Sequence, residues 1–138
     1  MKNLLLSIIL LLFTGFAFAQ PLQKGNLISI HILTMELQPN VTMEQVFEFY
    51  HTKYFPAAKK HFGMIGFIGQ GVRGSISTDN KLVLIWHFKT EASRDKYFKA
   101  DGNFSELGEK AWAQVASINE ELNKLATITS EWADWILK

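Results

Sequence analysis

KLVLIWHFKTEASRDKYFKA (residues 81–100) changes character halfway along. Its first half is an almost unbroken apolar run with β-branched and aromatic side chains, the composition of a strand. Thr90 then stands where a helix N-cap belongs, and EASRDKYFKA reads as helix. A second strand of the same kind lies upstream in NLISIHILTMEL (residues 26–37). Each of these two apolar strands holds one ionisable ring, His31 in the first and His87 in the second.

Working outward, the first strand ends at Pro39-Asn40, a turn signal. Thr42 sits three residues before Gln45, the spacing of a capping box. The helical segment MEQVFEFYHTKYFPAAKKHF (43–62) follows, with Val46, Tyr50 and Tyr54 along one line. Pro56 is expected to break or kink it, because proline lacks an amide hydrogen and crowds the preceding turn. Lys59, Lys60 and His61 suit the negative helix end, and Gly63 is a fitting stop. MIGFIGQGVRG (64–74) reads as a strand, but its four glycines point to a sheet edge or a bulge. SISTDN (75–80) is a turn. DGN (101–103) interrupts the second helical region. Leu107, Ala111, Val115, Ile118, Leu122 and Leu125 then form an apolar stripe, the mark of core packing or a partner helix. EWADWILK (131–138) closes the chain as a fourth strand.

The order is β-α-β-β-α-β. The compact solution is α+β and ferredoxin-like: an antiparallel four-stranded sheet in the order 4-1-3-2, with both helical regions on one face and the second region split in two. The first and third strands are then central neighbours. Both are apolar on both sides, so the face without helices needs a cover. A second copy of the chain supplies it, and a homodimer is expected.

The chain opens with MKNLLLSIILLLFTGFAFA, which has Lys2, an apolar run from Leu4 to Phe13, and a small-x-small ending at Ala17-Phe18-Ala19. Residues 1–19 read as a signal peptide, and 20–138 as a single exported domain, periplasmic or secreted. The apolar run is too short to be favoured as a lasting membrane span, so no membrane attachment is expected after cleavage. The chain has no cysteine, which excludes disulfides, thiol catalysis, zinc–thiolate sites and iron–sulfur clusters. Without Lys2, 13 basic residues face 13 acidic ones, and the charges are interleaved. No basic block exists of the kind nucleic acid requires.

The stretch LIWHFKTEASRDKYF, with Trp86, Thr90, Glu91, Ala92 and Tyr97, resembles the third strand and its exit in the dimeric α+β barrel superfamily. VTMEQVFEFYHTKYFP also resembles that superfamily's opening half. The likeness spans nearly the whole mature chain and implies a dimer whose sheets pack face to face around a barrel. The superfamily includes cofactor-independent monooxygenases of the antibiotic-biosynthesis type, haem-degrading monooxygenases, lactone isomerases and proteins without a known reaction, so fold does not select an activity. The haem-degrading branch uses an Asn in the first strand, a Trp in the third and a His on the second helix. Trp86 answers to the Trp. Ser29 and His31 replace the Asn, and residues 90–128 contain no His. No haem, metal or other cofactor is therefore expected.

Strand alternation places Ser29, His31 and Leu33 on one side, and Ile28, Ile30 and Ile32 on the other. Val83, Ile85 and His87 share a side opposite Leu82, Leu84, Trp86 and Phe88. Packing the isoleucine side and the Leu/Trp/Phe side on the helices points His31 and His87 both toward the space between the sheets, as close neighbours or well separated according to register. A one-residue bulge would turn one of them to the helix face. A neutral imidazole in a partly dry pocket serves as a general base or a ligand contact. A metal would need a further carboxylate or imidazole, and Glu36 and Asp134 are the nearest candidates. His51 and His61 suit a solvated helix face, Arg73 an exposed loop, and Trp132 and Trp135 opposite sides of the last strand. Two main readings follow, with a haem enzyme as a third and weaker one. In one, a small apolar molecule binds in the barrel, with His31 and His87 as polar or catalytic groups and Trp86 and Tyr50 as walls, with cofactor-free monooxygenase-like or isomerase-like chemistry as an extension. In the other, the protein is a non-catalytic dimeric module and the histidines are core or interface residues.

Overall fold

The computed structural model describes residues 21–74 and 78–138. The leader at 1–19 and the turn residues 75–77 lie outside the described residues. Capping and turn chemistry set most of the boundaries. Strand β1 (Leu27–Leu37) leads to helix α1 (Met43–Phe49). There Gln45 N–H donates to Thr42 Oγ1 at 3.3 Å, and Gln45 Oε1 accepts from Thr42 N–H at 2.8 Å. The box satisfies amides that would otherwise be orphaned at the helix start.

Pro56 does not break the helix. Tyr50–Tyr54 widens into a π-helical segment, and α2 (Phe55–Phe62) continues with Pro56 in its first turn. The Phe55 amide bonds back five residues to the Tyr50 carbonyl. That wider turn takes up the crowding a proline ring causes in a regular helix. Gly63 ends α2 at φ 67°, the left-handed conformation that glycine adopts without strain.

β2 (Ile65–Gln70) is an edge strand, as its glycines imply, and β3 (Lys81–Phe88) is central. At Thr90 a second capping box, with Ser93, opens α3 (Glu91–Asp95). The expected helix over 91–100 is shorter than its sequence suggests, because the chain then turns into a loop tied by a Phe98–Phe104 bridge. The long apolar stripe is two helices, α4 (Glu106–Ala113) and α5 (Ala116–Asn123), parted at Gln114-Val115 by three-residue hydrogen bonds. β4 (Ala126–Ile136) starts five residues earlier than EWADWILK. Three consecutive β-branched residues, Thr127-Ile128-Thr129, extend it along the whole of β1.

The sheet order is β2-β3-β1-β4 with every neighbouring pair antiparallel, the ferredoxin-like arrangement expected. Register corrects one expectation. Directly paired residues share a face, and Ser29 pairs with Trp86, His31 with Leu84 and Leu33 with Leu82. His31 therefore lies on the helix side, with the buried Leu27, Leu33, Met35, Leu82, Leu84, Trp86 and Phe88. Ile28, Ile30, Ile32, Val83, Ile85 and His87 occupy the opposite side. The two histidines do not meet. The sheet is open, and on its uncovered side Phe67 and Trp135 are 46% and 58% exposed.

Candidate functional site

Between the sheet and the α3–α4 loop lies a cavity of about 140 Å³, lined by Ser29, His31, Met64, Trp86, Phe88, Arg94, Phe98, Gly102 and Trp132. Alternation along β1 sends Ser29 and His31 into it, and the same alternation along β4 brings Ser130, Trp132 and Asp134 to the same side. Gly102, at φ 84°, closes the loop against Trp132. A Cβ there would strike the indole ring.

His31 is half-buried and fully engaged. Its Nε2 lies 3.1 Å from Ser29 Oγ, its Nδ1 3.2 Å from Ser130 Oγ, and its ring stacks on Trp132 with centroids 6.0 Å apart. A neutral imidazole fits this pair, donating through one nitrogen and accepting through the other. Burial holds its pKa below the ordinary 6.5, against a smaller opposing pull from the Asp134 carboxylate.

Arg94 is the charged member of the wall, with a side chain only 7% exposed. Its Nε pairs with Asp134 Oδ2 at 2.9 Å. Its Nη1 donates to the carbonyls of Lys99 at 2.8 Å and Phe98 at 3.1 Å, and its guanidinium rests over the Phe98 ring. Through these bonds one side chain ties α3 and its following loop to β4.

Trp86, Met64 and Phe98 also wall a second cavity of about 130 Å³, lined further by Tyr54, Phe62, Phe104, Trp112 and Ile118. It is apolar throughout except for tips of the ring systems. Tyr50, expected as a wall, lines neither cavity. It is buried behind Tyr54 and Phe55, with ring centroids 5.3 Å and 5.5 Å away. Burial pushes the hydroxyls of both tyrosines up, so each stays protonated at neutral pH.

His87 has a different setting. It is buried, and its Nε2–H donates to Asn26 Oδ1 at 2.9 Å. Asn26 Nδ2 donates to the Lys89 carbonyl, which orients the amide so that its oxygen faces the ring. Burial lowers the His87 pKa as well. Asn26 covers this histidine.

Among the described residues no group of three His, Cys, Asp or Glu side chains converges as a metal site would need. Glu36 is exposed on the uncovered side, Arg73 is exposed in its loop, and His51 is exposed beside Phe55. Sequence reasoning missed Arg94 and Ser130. The signal for Arg94 was its placement four residues before Phe98, one helical turn away. Ser130 was hidden because β4 was started one residue too late to include it.

No family model and no curated protein matches the chain. Among solved structures, it is similar to a NipSnap family protein of unknown function from Agrobacterium tumefaciens, at 13% identity and a TM-score of 0.48, over 84% of this chain and 93% of that one. The site is therefore read from this chain's own residues.

Proposed function

We propose that this is an exported, homodimeric α+β barrel protein that binds a small, mostly apolar molecule in the cavity between its sheet and helices. The observation that carries the reading is a polar imidazole, held by two hydroxyls, in a cavity of about 140 Å³ whose walls are mostly aromatic, with Met64, Gly102 and the buried Arg94 completing them. An engineered cavity of about 150 Å³ in another protein holds benzene, so one ring or a short branched chain is the size that fits here. Trp86 and Trp132 supply walls, and His31 and Ser29 supply polar contacts. His87 has no part in this pocket. Proton abstraction from a bound carbon acid, the step that cofactor-free monooxygenase-like and isomerase-like chemistry would share, would require the neutral imidazole to exchange one of its two hydroxyl partners for the substrate.

Dimerisation is supported by the apolar uncovered face of Ile28, Ile30, Ile32, Val83 and Ile85, with Phe67 and Trp135 exposed beside it. Export is supported by the leader-like residues 1–19. That same face, and His87 clamped by Asn26, also support the second reading, a non-catalytic dimeric module.

The test is native mass spectrometry of protein recovered from its own compartment, with its mature N-terminus sequenced. The expected result is a dimer beginning near Gln20 that carries a small organic ligand, and His31→Ala loses that ligand while remaining folded. A ligand-free protein that binds nothing in a metabolite screen, with His31→Ala changing only the melting temperature, would favour the non-catalytic module.

A further inference from the structure

Arg94 specifies what kind of ligand the cavity accepts. The inference rests on the cavity being a ligand site. A guanidinium has five N–H donors. In Arg94, Nε forms an ion pair with Asp134 and Nη1 donates to two backbone carbonyls, with the Asp95 carboxylate 3.4 Å away. Nη2 has no hydrogen-bond partner among the described residues. No fully buried side-chain nitrogen or oxygen among them lacks a partner, so Nη2 retains some exposure, and Arg94 borders both the cavity and the cleft outside it. Donor capacity in a low-dielectric wall favours an acceptor oxygen, because an unmet donor there is costly.

The charge balance then decides which oxygen. Among the described residues Arg94 is the only charged side chain lining the inner cavity. Its positive charge is already answered by Asp134 in direct contact and by Asp95 close by. On the outer side the cleft is lined by these same two carboxylates with Glu91 and Lys99, whose opposite charges offset one another, so Arg94 stays outnumbered by the two carboxylates it already faces. A carboxylate ligand would give up its hydration and gain no uncompensated cation in return. A carbonyl or amide oxygen gains the same hydrogen bonds without that loss.

We propose that the cavity selects uncharged, oxygen-bearing ligands over acids of the same shape, with Arg94 Nη2 as the donor and Asp134 as the residue that excludes anions. Asp134 is thus a specificity-determining residue acting through Arg94.

The test uses benzamide and benzoate, one ring each and matched in shape, titrated at pH 8 by ligand-observed NMR with the full mature protein. Wild type is expected to bind benzamide about tenfold more tightly than benzoate, and Asp134→Asn to narrow or reverse that ratio by about tenfold, the scale on which one adjacent charge moves a carboxylate equilibrium. Equal binding, or a preference for benzoate in wild type, would overturn the inference and leave the cavity a ligand site. So would a ratio that Asp134→Asn leaves unchanged. Binding of neither probe would bring down the ligand-site reading together with this one. If Asp134→Asn does not fold, the wild-type ratio decides alone.

Discussion

On the helix side of β1 and β3 stand Leu27, Leu33, Met35, Leu82, Leu84, Trp86 and Phe88; on the other side stand Ile28, Ile30, Ile32, Val83 and Ile85. The first set is long, unbranched at Cβ or aromatic. It reaches unevenly into the space beneath short, interrupted helices, and there it leaves two cavities. The second set is β-branched and stiff, a flatter surface of the kind that packs on another sheet. Each face also holds one histidine, satisfied differently. His31 is held by hydroxyls from β1 and β4 in a cavity, whereas His87 is sealed by an amide from the segment before β1. Apolar composition alone is the same on both sides. Side-chain shape and the identity of the cover distinguish a site from a surface.

The difference can be broken most severely at Trp86. Trp86→Ala is expected to cost about 3–5 kcal/mol, as loss of a large buried aromatic does, read from urea unfolding. A loss below about 1 kcal/mol would mean that the helix side is not the principal core.

On the other face, Ile30→Glu together with Phe67→Glu should convert a dimer to a folded monomer, seen by light scattering after gel filtration, with far-ultraviolet circular dichroism unchanged. A wild type already monomeric at micromolar concentration would remove the interface.

Two glycines of β2 sharpen the same contrast. Gly66 pairs with Trp86 on the helix side, where an added Cβ would collide with the Phe55 ring and come within 2.6 Å of Trp86 Cζ3. Gly69 pairs with Val83 on the other side, and its Cβ would meet only Val83 Cγ1 at 3.4 Å. Gly66→Ala should cost about 1–3 kcal/mol through overpacking, and Gly69→Ala less than about 1 kcal/mol. Equal costs would contradict the assignment of faces.

The smallest expected effect is that of pH. Both histidines have pKa values lowered from 6.5 by burial. Between each lowered value and 6.5 the unfolded chain binds more protons than the folded one, so acidification favours unfolding. Their contribution is complete above about pH 6.5 and declines as the pH falls toward the lowered values. Urea midpoints measured from pH 8 to pH 5 should show this decline, and His87→Gln, which keeps an amide donor for Asn26, should flatten part of it. A midpoint that rises on acidification would reverse the sign.

Much of this was legible along the chain. Thr42 with Gln45, and Thr90, mark helix starts because capping is local chemistry. Gly63 marks a stop, and the glycines of β2 mark an edge. The response to Pro56 was not legible, since a helix can also widen into a π-turn, as it does here over Tyr50–Tyr54, and local rules anticipate only a break or a kink. β4 was cut short because Leu125 completes a helical stripe just where Ala126 begins the strand alternation.

The order of elements, the antiparallel sheet and its strand sequence were determined by the chain itself, through hydrophobic period, capping residues and the few compact ways of joining such segments. Which side of β1 faces inward was decided only by tertiary structure. Alternation states that Ser29, His31 and Leu33 share a side, but either side can be covered. The outer set does run on into the exposed Thr34 and Glu36, while the inner one runs on into the buried Met35. That hint acquires its meaning only once helices cover one side. His31 then receives its partner Ser130 from 99 residues away, and His87 its partner Asn26 from 61. Contacts at such separations depend on the whole sheet being assembled, because no local preference brings those residues together.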